Sequence, residues 1–228
     1  MQKQIILASS SPRRKELLEQ IGLKFIIHPS EFEEKLQLDD KEKTPKELAI
    51  YNALGKAQKI ARHYKNALII GVDTIVAFQN HIIGKPKDRE DAARILRLLS
   101  NTTHQVITGI SIFDSDRNRA LNGVEITDVT MDRLEEKDIM RYIASGEGED
   151  KAAGYAIQGM GSLFVKKIDG DYFNVVGLPI HHLYKLLYKQ WSGYKFYEKN
   201  FNNLINPVLS RNCFPIPEID EKALATPK

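Results

Sequence analysis

Between Ala67 and Val72 the sequence reads Ala-Leu-Ile-Ile-Gly-Val, with no polar side chain, and apolar residues resume after Asp73-Thr74 as far as Phe78. A continuous run of this kind fits a central strand covered on both faces rather than the alternating strand of a half-exposed sheet. A chain built around such a strand needs helices to cover it, and the flanking sequence supplies them. Gln4 to Leu7 reads as another short buried strand. It leads into Ser9-Ser10-Ser11-Pro12, a helix start with a serine N-cap and a proline in the first turn, where its missing N–H costs nothing. Leu17, Leu18 and Ile21 give that helix an apolar face, and Gly22 ends it. Lys24 to His28 is a second short strand, followed by an acidic loop from Glu31 to Asp40. Thr44-Pro45-Lys46-Glu47 has the form of a capping box, and the helix it opens runs to about His63 with Leu48, Ala49, Ala53, Ala57 and Ile60 on one side.

Downstream, Asp88 caps a third helix in which Ala92, Ile95, Leu96 and Leu99 recur at helical spacing. Val106 to Phe113 and Leu121 to Val129 alternate as strands around the polar turn Asp114 to Arg119. Thr103-His104 begins the first of them, with a structural hydrogen-bonding role for His104. Glu135 to Ser145 reads as a helix, Gly146 to Gly154 as a loop, and Leu163 to Ile168 and Phe173 to Val176 as strands. Leu178 to Lys189 is the last helix, with His181 and His182 on it as surface or packing residues. Strands alternating with helices, then a meander, give an α/β fold with a mixed sheet and flanking helices. Beyond Gln190 aromatic residues mix with Lys and Asn before Pro207, Pro215, Pro217 and Pro227 break the chain. The division is therefore a domain over 1–190 and an extra tail over 191–228, partly helical or loose.

Composition narrows the function classes. At 228 residues and 42% hydrophobic, the chain can bury a sizeable core in one or two domains. With 33 Lys and Arg against 30 Asp and Glu, the global field does not suit a general nucleic-acid binder, so anion binding must come from local clusters. The single Cys213 sits in the proline-broken tail, can form no intramolecular disulfide, and makes a poor nucleophile. No stretch approaches the ~20 apolar residues of a membrane span. The N-terminal apolar run is four residues long, too short for a signal peptide. The expectation is a soluble, cytoplasmic protein. The sequence has no Walker loop, no Gly-x-Gly-x-x-Gly after a strand, no His-Glu-x-x-His and no Gly-x-Ser-x-Gly.

Five groups of residues remain. Ala8-Ser9-Ser10-Ser11-Pro12-Arg13-Arg14 runs from a strand into a helix N-terminus, where backbone N–H groups, hydroxyls such as that of Ser10 and the guanidiniums of Arg13 and Arg14 suit phosphate; a plain capped helix with solvated arginines is the alternative. Asp73, placed at the end of the apolar strand, is positioned to hold Mg²⁺ or take a proton from water, or else simply caps a turn. Lys56 and Lys85 would each neutralise a polyphosphate; Lys56 shares a helix with many other lysines, so a solvated face is the stronger reading of it, whereas Lys85, flanked by Gly and Pro, fits a directed role better. Glu33 and Glu34 offer oxygen to a hard divalent cation, or are an acidic loop and nothing more. Gly154-Tyr155-Ala156-Ile157-Gln158-Gly159-Met160-Gly161 lets backbone approach a ligand, and the Gln158 amide can both donate to and accept from a base edge; a turn-rich loop is the alternative.

Taken in order, these segments resemble the Maf family of nucleoside triphosphate pyrophosphatases over about residues 4–190. The matching stretches are LASSSPRRKELL (7–18), GVDTIV (71–76), GKPKD (84–88), LSNTTHQVITG (99–109), AGYAIQGMG (153–161) and FVKKIDGDYFNVVGLPI (164–180). The resemblance implies an inosine-triphosphatase-like α/β structure with two lobes around a central cleft. It implies hydrolysis of a nucleoside triphosphate to the monophosphate and pyrophosphate with a divalent metal, Mg²⁺ or Mn²⁺, in house-cleaning of nucleotide pools. Asp73 matches the family's proton acceptor, and Arg13, Thr74 and Gln158 match its specificity positions. The Asp-Thr and Ile-Gln-Gly forms are those of the branch acting on dTTP and UTP, and the metal is expected on Glu34 and Asp73. The same reaction on 7-methyl-GTP or another modified nucleotide, and a non-hydrolytic nucleotide-binding regulator of cell division, are the rival expectations. The partner is thus a nucleotide, without nucleic acid or membrane, and a homodimer is left open. One departure is Gly148, where the family often has proline, which is expected to loosen that loop.

Overall fold

The computed structural model describes residues 3–35 and 44–192. The apolar run becomes β3 (Ala67–Phe78), and Asp73 stands in the middle of this twelve-residue strand rather than at its end. The expected stop at Val72 fails because Ile75, Val76 and Ala77 beyond Asp73 are buried as well. Two polar side chains do not end a strand whose apolar burial continues beyond them.

Seven strands form one mixed sheet. β1 (Gln4–Leu7) lies parallel to both β2 (Ile26–Ile27) and β3. β3 runs antiparallel to β4 (His81–Ile83) and β5 (Thr103–Asp114), and β6 (Arg119–Met131) and β7 (Val165–Asp169) continue the antiparallel meander. β5 pairs with β3 from Leu68 to Ala77 along one edge. The other edge of β3 is shared: β1 covers Ala67 to Ile70 and β4 covers Val76 to Phe78. Residues 71–75 lie between these two partners, where the strand has no neighbour on that side. Backbone acceptors in such a gap need other donors, and the site described below forms there.

One helix sets the distance. α2 (Pro45–Ala61) opens with the expected capping box, the Thr44 side chain accepting from the Glu47 N–H while the Glu47 carboxylate accepts from the Thr44 N–H. It lays Ala49, Ala53 and Ala57, all fully buried, across the sheet. Opposite them are Gly71 and Gly109: a Cβ at Gly71 would come within 2.0 Å of the Ala53 carbonyl oxygen, and one at Gly109 within 2.3 Å of that of Ala49. Alanine against glycine lets the helix backbone approach the sheet directly. The neighbouring stripe of α2, Asn52 and Lys56 at i and i+4, is thereby carried onto Asp73.

The opposite face of the sheet carries two apolar clusters. α1 (Pro12–Gln20) and α6 (Ile180–Ser192) pack over Leu68, Ile70, Val72, Ile110 and Ile112, whereas α3 (Arg89–Leu99) and α4 (Glu136–Ser145) pack over Val76, Val106 and Val129. Asp88 caps α3 as expected, accepting from the Asp91 N–H at 2.8 Å. On α6, His182 packs over Gly123 and pairs with Glu125 at 2.9 Å.

Three sequence expectations need correction. Phe173 to Val176 is not a strand but part of a short helix, α5 (Tyr172–Val176). Asp171 caps it through the N–H groups of Phe173 and Asn174, and Gly177 follows with φ of 121°. The two terminal signals override the strand-like composition between them. The strand expected over Lys24 to His28 shrinks to Ile26–Ile27. β4 has no counterpart in the sequence analysis, because its hairpin turn uses Gln79 and Asn80 at positive φ without the glycine that normally marks such a turn. Most of the acidic loop beyond Lys35, and the tail beyond Ser192 with Cys213, fall outside the described residues. Among the described residues no helix is long and apolar enough to cross a membrane.

Candidate active site

The gap on β3 opens into a cleft of about 460 Å³. Its wall is built from the Ala8–Arg14 turn, the β3 residues Asp73, Thr74 and Val76, Lys56 of α2, Glu34 and Lys85 from loops, and the Tyr155–Ile157 segment. Val76, Val106 and Tyr155 come from one apolar cluster, Ile157 and Val176 from the other. Five cationic side chains (Arg13, Arg14, Lys56, Lys85 and Lys151) face three carboxylates (Glu34, Asp73 and Asp150). Such a lining favours an anion with more than one negative charge.

Asp73 is 4% exposed, and both of its oxygens are held. Oδ1 accepts from Lys56 Nζ at 2.7 Å, and Oδ2 accepts from Asn52 Nδ2 at 3.0 Å. A carboxylate oxygen has two lone pairs, so each retains room for a further hydrogen bond. Lys56 Nζ also reaches Glu34 Oε1 at 2.6 Å and the Val72 carbonyl at 3.3 Å. Its three donors are thus taken by the protein. Asn52 was not foreseen from sequence. It accepts from the Lys35 N–H at 3.0 Å and donates to the Lys35 carbonyl at 2.9 Å, fastening the backbone beside Glu34 to the same helix that holds Asp73. The only prior signal was its place one turn before Lys56 beside an alanine stripe.

Neighbouring residues on a strand point to opposite faces. Thr74 therefore joins a different network, centred on Arg14. The Arg14 guanidinium donates from Nε to the Gly177 carbonyl at 3.0 Å, from Nη1 to Ser9 Oγ and the Val72 carbonyl at 3.0 Å each, and from Nη2 to Thr74 Oγ1 at 3.1 Å. Four of its five N–H groups are spent on the chain itself. Burial lowers the Arg14 pKa from its ordinary value, with the charges of Asp73 and Glu34 working against that fall. A guanidinium stays charged under such a shift. Thr74 Oγ1 is further engaged by Thr108 Oγ1 at 2.9 Å. Arg14 and Thr74 thus line the cleft while their polar atoms brace it.

The groups left for an incoming anion are others. Ser10 and Lys85 are exposed at the cleft, and Arg13 is half-buried there. Ser11 is the N-cap of α1 but makes no side-chain cap bond, which leaves the first-turn N–H groups of that helix without a side-chain cap. Glu33 is exposed and does not line the cleft. Gln158 is exposed as well; its neighbour Ile157 lines the cleft but Gln158 does not. The side chain of Lys151 pairs with Asp150.

Below the cleft, His104 Nε2 lies 2.7 Å from Tyr155 Oη, the structural hydrogen bond expected of it. Burial pushes the His104 pKa down to about 4, so the ring is neutral at pH 7. The loop around Gly148 is braced rather than loosened. A Cβ at Gly148 would lie 2.0 Å from the Gly154 carbonyl oxygen, and N–H groups of Lys151, Ala153 and Gly154 bond to Gly148, Gly84 and Lys151. Glycine here permits a close backbone approach.

With this geometry in place, comparison with known proteins is informative. A family model described as Maf-like protein matches residues 4–190. The chain belongs to the Maf-like family. It is 46% identical over 188 residues to a dTTP/UTP pyrophosphatase of Dictyoglomus turgidum, covering 82% of this chain and 96% of that one. It is 42% identical over 201 residues to one of Methanosarcina barkeri, covering 88% and 100%. A third, from Geobacillus sp. (strain WCH70), is 48% identical over 178 residues, covering 78% and 93%. A solved nucleoside-triphosphatase / dITP/XTP pyrophosphatase from Mycobacterium abscessus superposes with a TM-score of 0.38 at 11% identity, covering 57% of this chain and 75% of that one.

Proposed function

We propose that this chain is a nucleoside triphosphate pyrophosphatase acting on dTTP and UTP, cleaving the α–β phosphoanhydride to leave the monophosphate and pyrophosphate. Three relatives named for that activity, each matched over nearly its whole length, support the substrate. The observation that carries the chemistry is Asp73, a buried carboxylate held between Lys56 and Asn52 on the floor of a cleft lined by cations.

The roles follow from what each group has left to offer. Ser10, Arg13, Lys85 and the first-turn N–H groups of α1 hold the triphosphate, because their donors are not spent on the protein. Asp73 accepts the proton of the water that attacks the α-phosphorus. Lys56 and Asn52 hold its two oxygens in place, and Arg14 fixes Val72, Thr74 and Gly177 around it. Charge develops on the phosphoryl oxygens and the leaving pyrophosphate, so positioned cations supply the stabilisation. Thr74 acts on base preference through the Arg14 network rather than by touching the base, whereas Gln158 reads the base edge from the margin of the cleft.

A divalent cation fits this donor set. Asp73 and Glu34 each give one oxygen to Lys56 Nζ, so two hard oxygens converge within reach of a single cation. Among the described residues no group of three or more His, Cys, Asp or Glu is arranged to hold a metal. Two carboxylates completed by substrate phosphates and water are an ordinary Mg²⁺ environment. When bound there, the ion would lower the pKa of the attacking water and offset phosphate charge.

The test is pyrophosphate release with Mg²⁺ or Mn²⁺ across dTTP, UTP, CTP, ATP, GTP and 7-methyl-GTP. This reading expects the highest kcat/KM for dTTP and UTP. A preference for 7-methyl-GTP, or binding without pyrophosphate release, would overturn it.

A further inference from the structure

The segment Ala156–Gly161 contains the exposed Gln158 and is pinned at both ends by residues from outside it. At its start, Tyr142 Oη accepts from the Ala156 N–H at 3.1 Å. At its end, Glu147 accepts from the Met160 N–H at 2.9 Å through Oε2 and from the Gly161 N–H at 3.0 Å through Oε1. The two ends also touch each other, since a Cβ at Gly161 would lie 2.2 Å from the Ala156 carbonyl oxygen. Gly159, at φ of 89°, leaves the space the carboxylate needs: a Cβ there would sit 2.5 Å from Glu147 Oε2. The loop is therefore shaped around that carboxylate.

We infer that Glu147 is a positioning residue for base discrimination: its bidentate grip on the Met160 and Gly161 amides sets where Gln158 stands at the rim of the nucleotide cleft. The inference rests on the pyrophosphatase reading above and extends it to a residue that touches no substrate. A carboxylate is required. Only an acceptor on both oxygens satisfies two converging N–H groups, and a glutamine would turn an NH₂ toward one of them. Burial works to raise the Glu147 pKa, but the amides of Gly161 and Met160, with Tyr142 and the charge of Arg13 adding to them, hold it below the ordinary carboxylate value. The charge is thus present throughout the neutral range.

The experiment compares wild type, Glu147→Gln, Glu147→Asp and Gly159→Ala, using the whole chain. Two quantities are measured: kcat/KM for pyrophosphate release from UTP, dTTP, CTP and GTP, and Kd for the non-hydrolysable α,β-methylene analogues of UTP and GTP. Ratios between nucleotides are internal to each preparation, so a partly unfolded variant does not distort them. Glu147→Gln is expected to lower the UTP-to-GTP ratio at least tenfold, through KM and Kd, with kcat for UTP changed less than threefold. Glu147→Asp, which keeps both oxygens, is expected to recover part of that ratio. Gly159→Ala, which places a methyl group where the carboxylate sits, is expected to reproduce the loss. Unchanged ratios in Glu147→Gln, or an equal fall for every nucleotide, would overturn the inference. A wild type that discriminates in binding but releases no pyrophosphate would remove the catalytic reading and leave this one standing if the Kd ratio still collapses in the variant.

Discussion

Asp73→Asn is expected to cut pyrophosphate release from UTP and dTTP by roughly 10²–10⁴-fold while the protein stays folded. The substitution is nearly isosteric, and an asparagine oxygen can still accept from Lys56 or Asn52, the two donors that hold the present carboxylate. What it loses is the ability to take a proton from water and one negative charge beside Lys56. Kinetics on UTP and dTTP, paired with a thermal melt, separate these consequences. A folded variant with full activity would end the role assigned to Asp73. A variant that fails to fold would instead say that the carboxylate is needed to neutralise the buried Lys56 ammonium, because a buried charge without its partner is costly.

The largest stability effect should come from Arg14. Arg14→Met keeps the length and apolar stem of the side chain but removes the donors that reach Ser9, Val72, Thr74 and Gly177. Hydrogen bonds from a charged donor contribute about 1.5–3 kcal/mol each, but every acceptor here except Gly177 and Val72 keeps a good neutral donor, and burying the guanidinium has its own cost. A net loss of about 2–4 kcal/mol follows, or roughly 5–15 °C in melting temperature for a chain of this size. Arg14→Lys should recover little, because one ammonium cannot serve acceptors on the α1 turn, β3 and the residue after α5 at the same time. Differential scanning calorimetry decides the matter. A lysine variant as stable as wild type would mean that charge rather than the forked geometry of Arg14 is what counts.

Both predictions depend on how far the sequence discloses its structure. Strands and helices with strong local signals were legible: the capping box at Thr44 and Glu47, the Asp88 cap, and the apolar burial of Ala67–Phe78. Elements defined by terminal signals against their own composition were not, as at Asp171 and Gly177, whose capping makes a helix of Tyr172–Val176. Within the site, the approach of residue types to one cleft was legible for Asp73, Lys56, Glu34, Ser10, Arg13 and Lys85, all of which line it. The division of labour among them was not. Sequence alone puts Arg14 and Lys56 beside Arg13 and Lys85 as phosphate ligands, whereas four of the five Arg14 N–H groups and all three Lys56 donors go to backbone, hydroxyl and carboxylate acceptors that only the fold brings near. Asn52 and Glu147 escaped for the same reason. Each acts on a segment distant in sequence, and neither lies in a pattern that local chemistry distinguishes from a solvated polar residue.

The close packing of α2 explains why the site tolerates so much buried charge. Asn52 and Lys56 reach Asp73 because alanine and glycine remove the side-chain layer that would otherwise separate helix from sheet. Interiors that pack to crystal-like density transmit such constraints directly. Under the proposed function, base selection is anchored to the loop after α4, triphosphate binding to the α1 start and Lys85, and the proton acceptor to α2 and β3.

Hydrolysis of UTP in ¹⁸O-labelled water, with the products weighed by mass spectrometry, tests the central claim most directly. Attack of water on the α-phosphorus, the step assigned to this cleft, predicts one ¹⁸O in UMP and unlabelled pyrophosphate. Label in the pyrophosphate, or UDP and inorganic phosphate as the products, would contradict it.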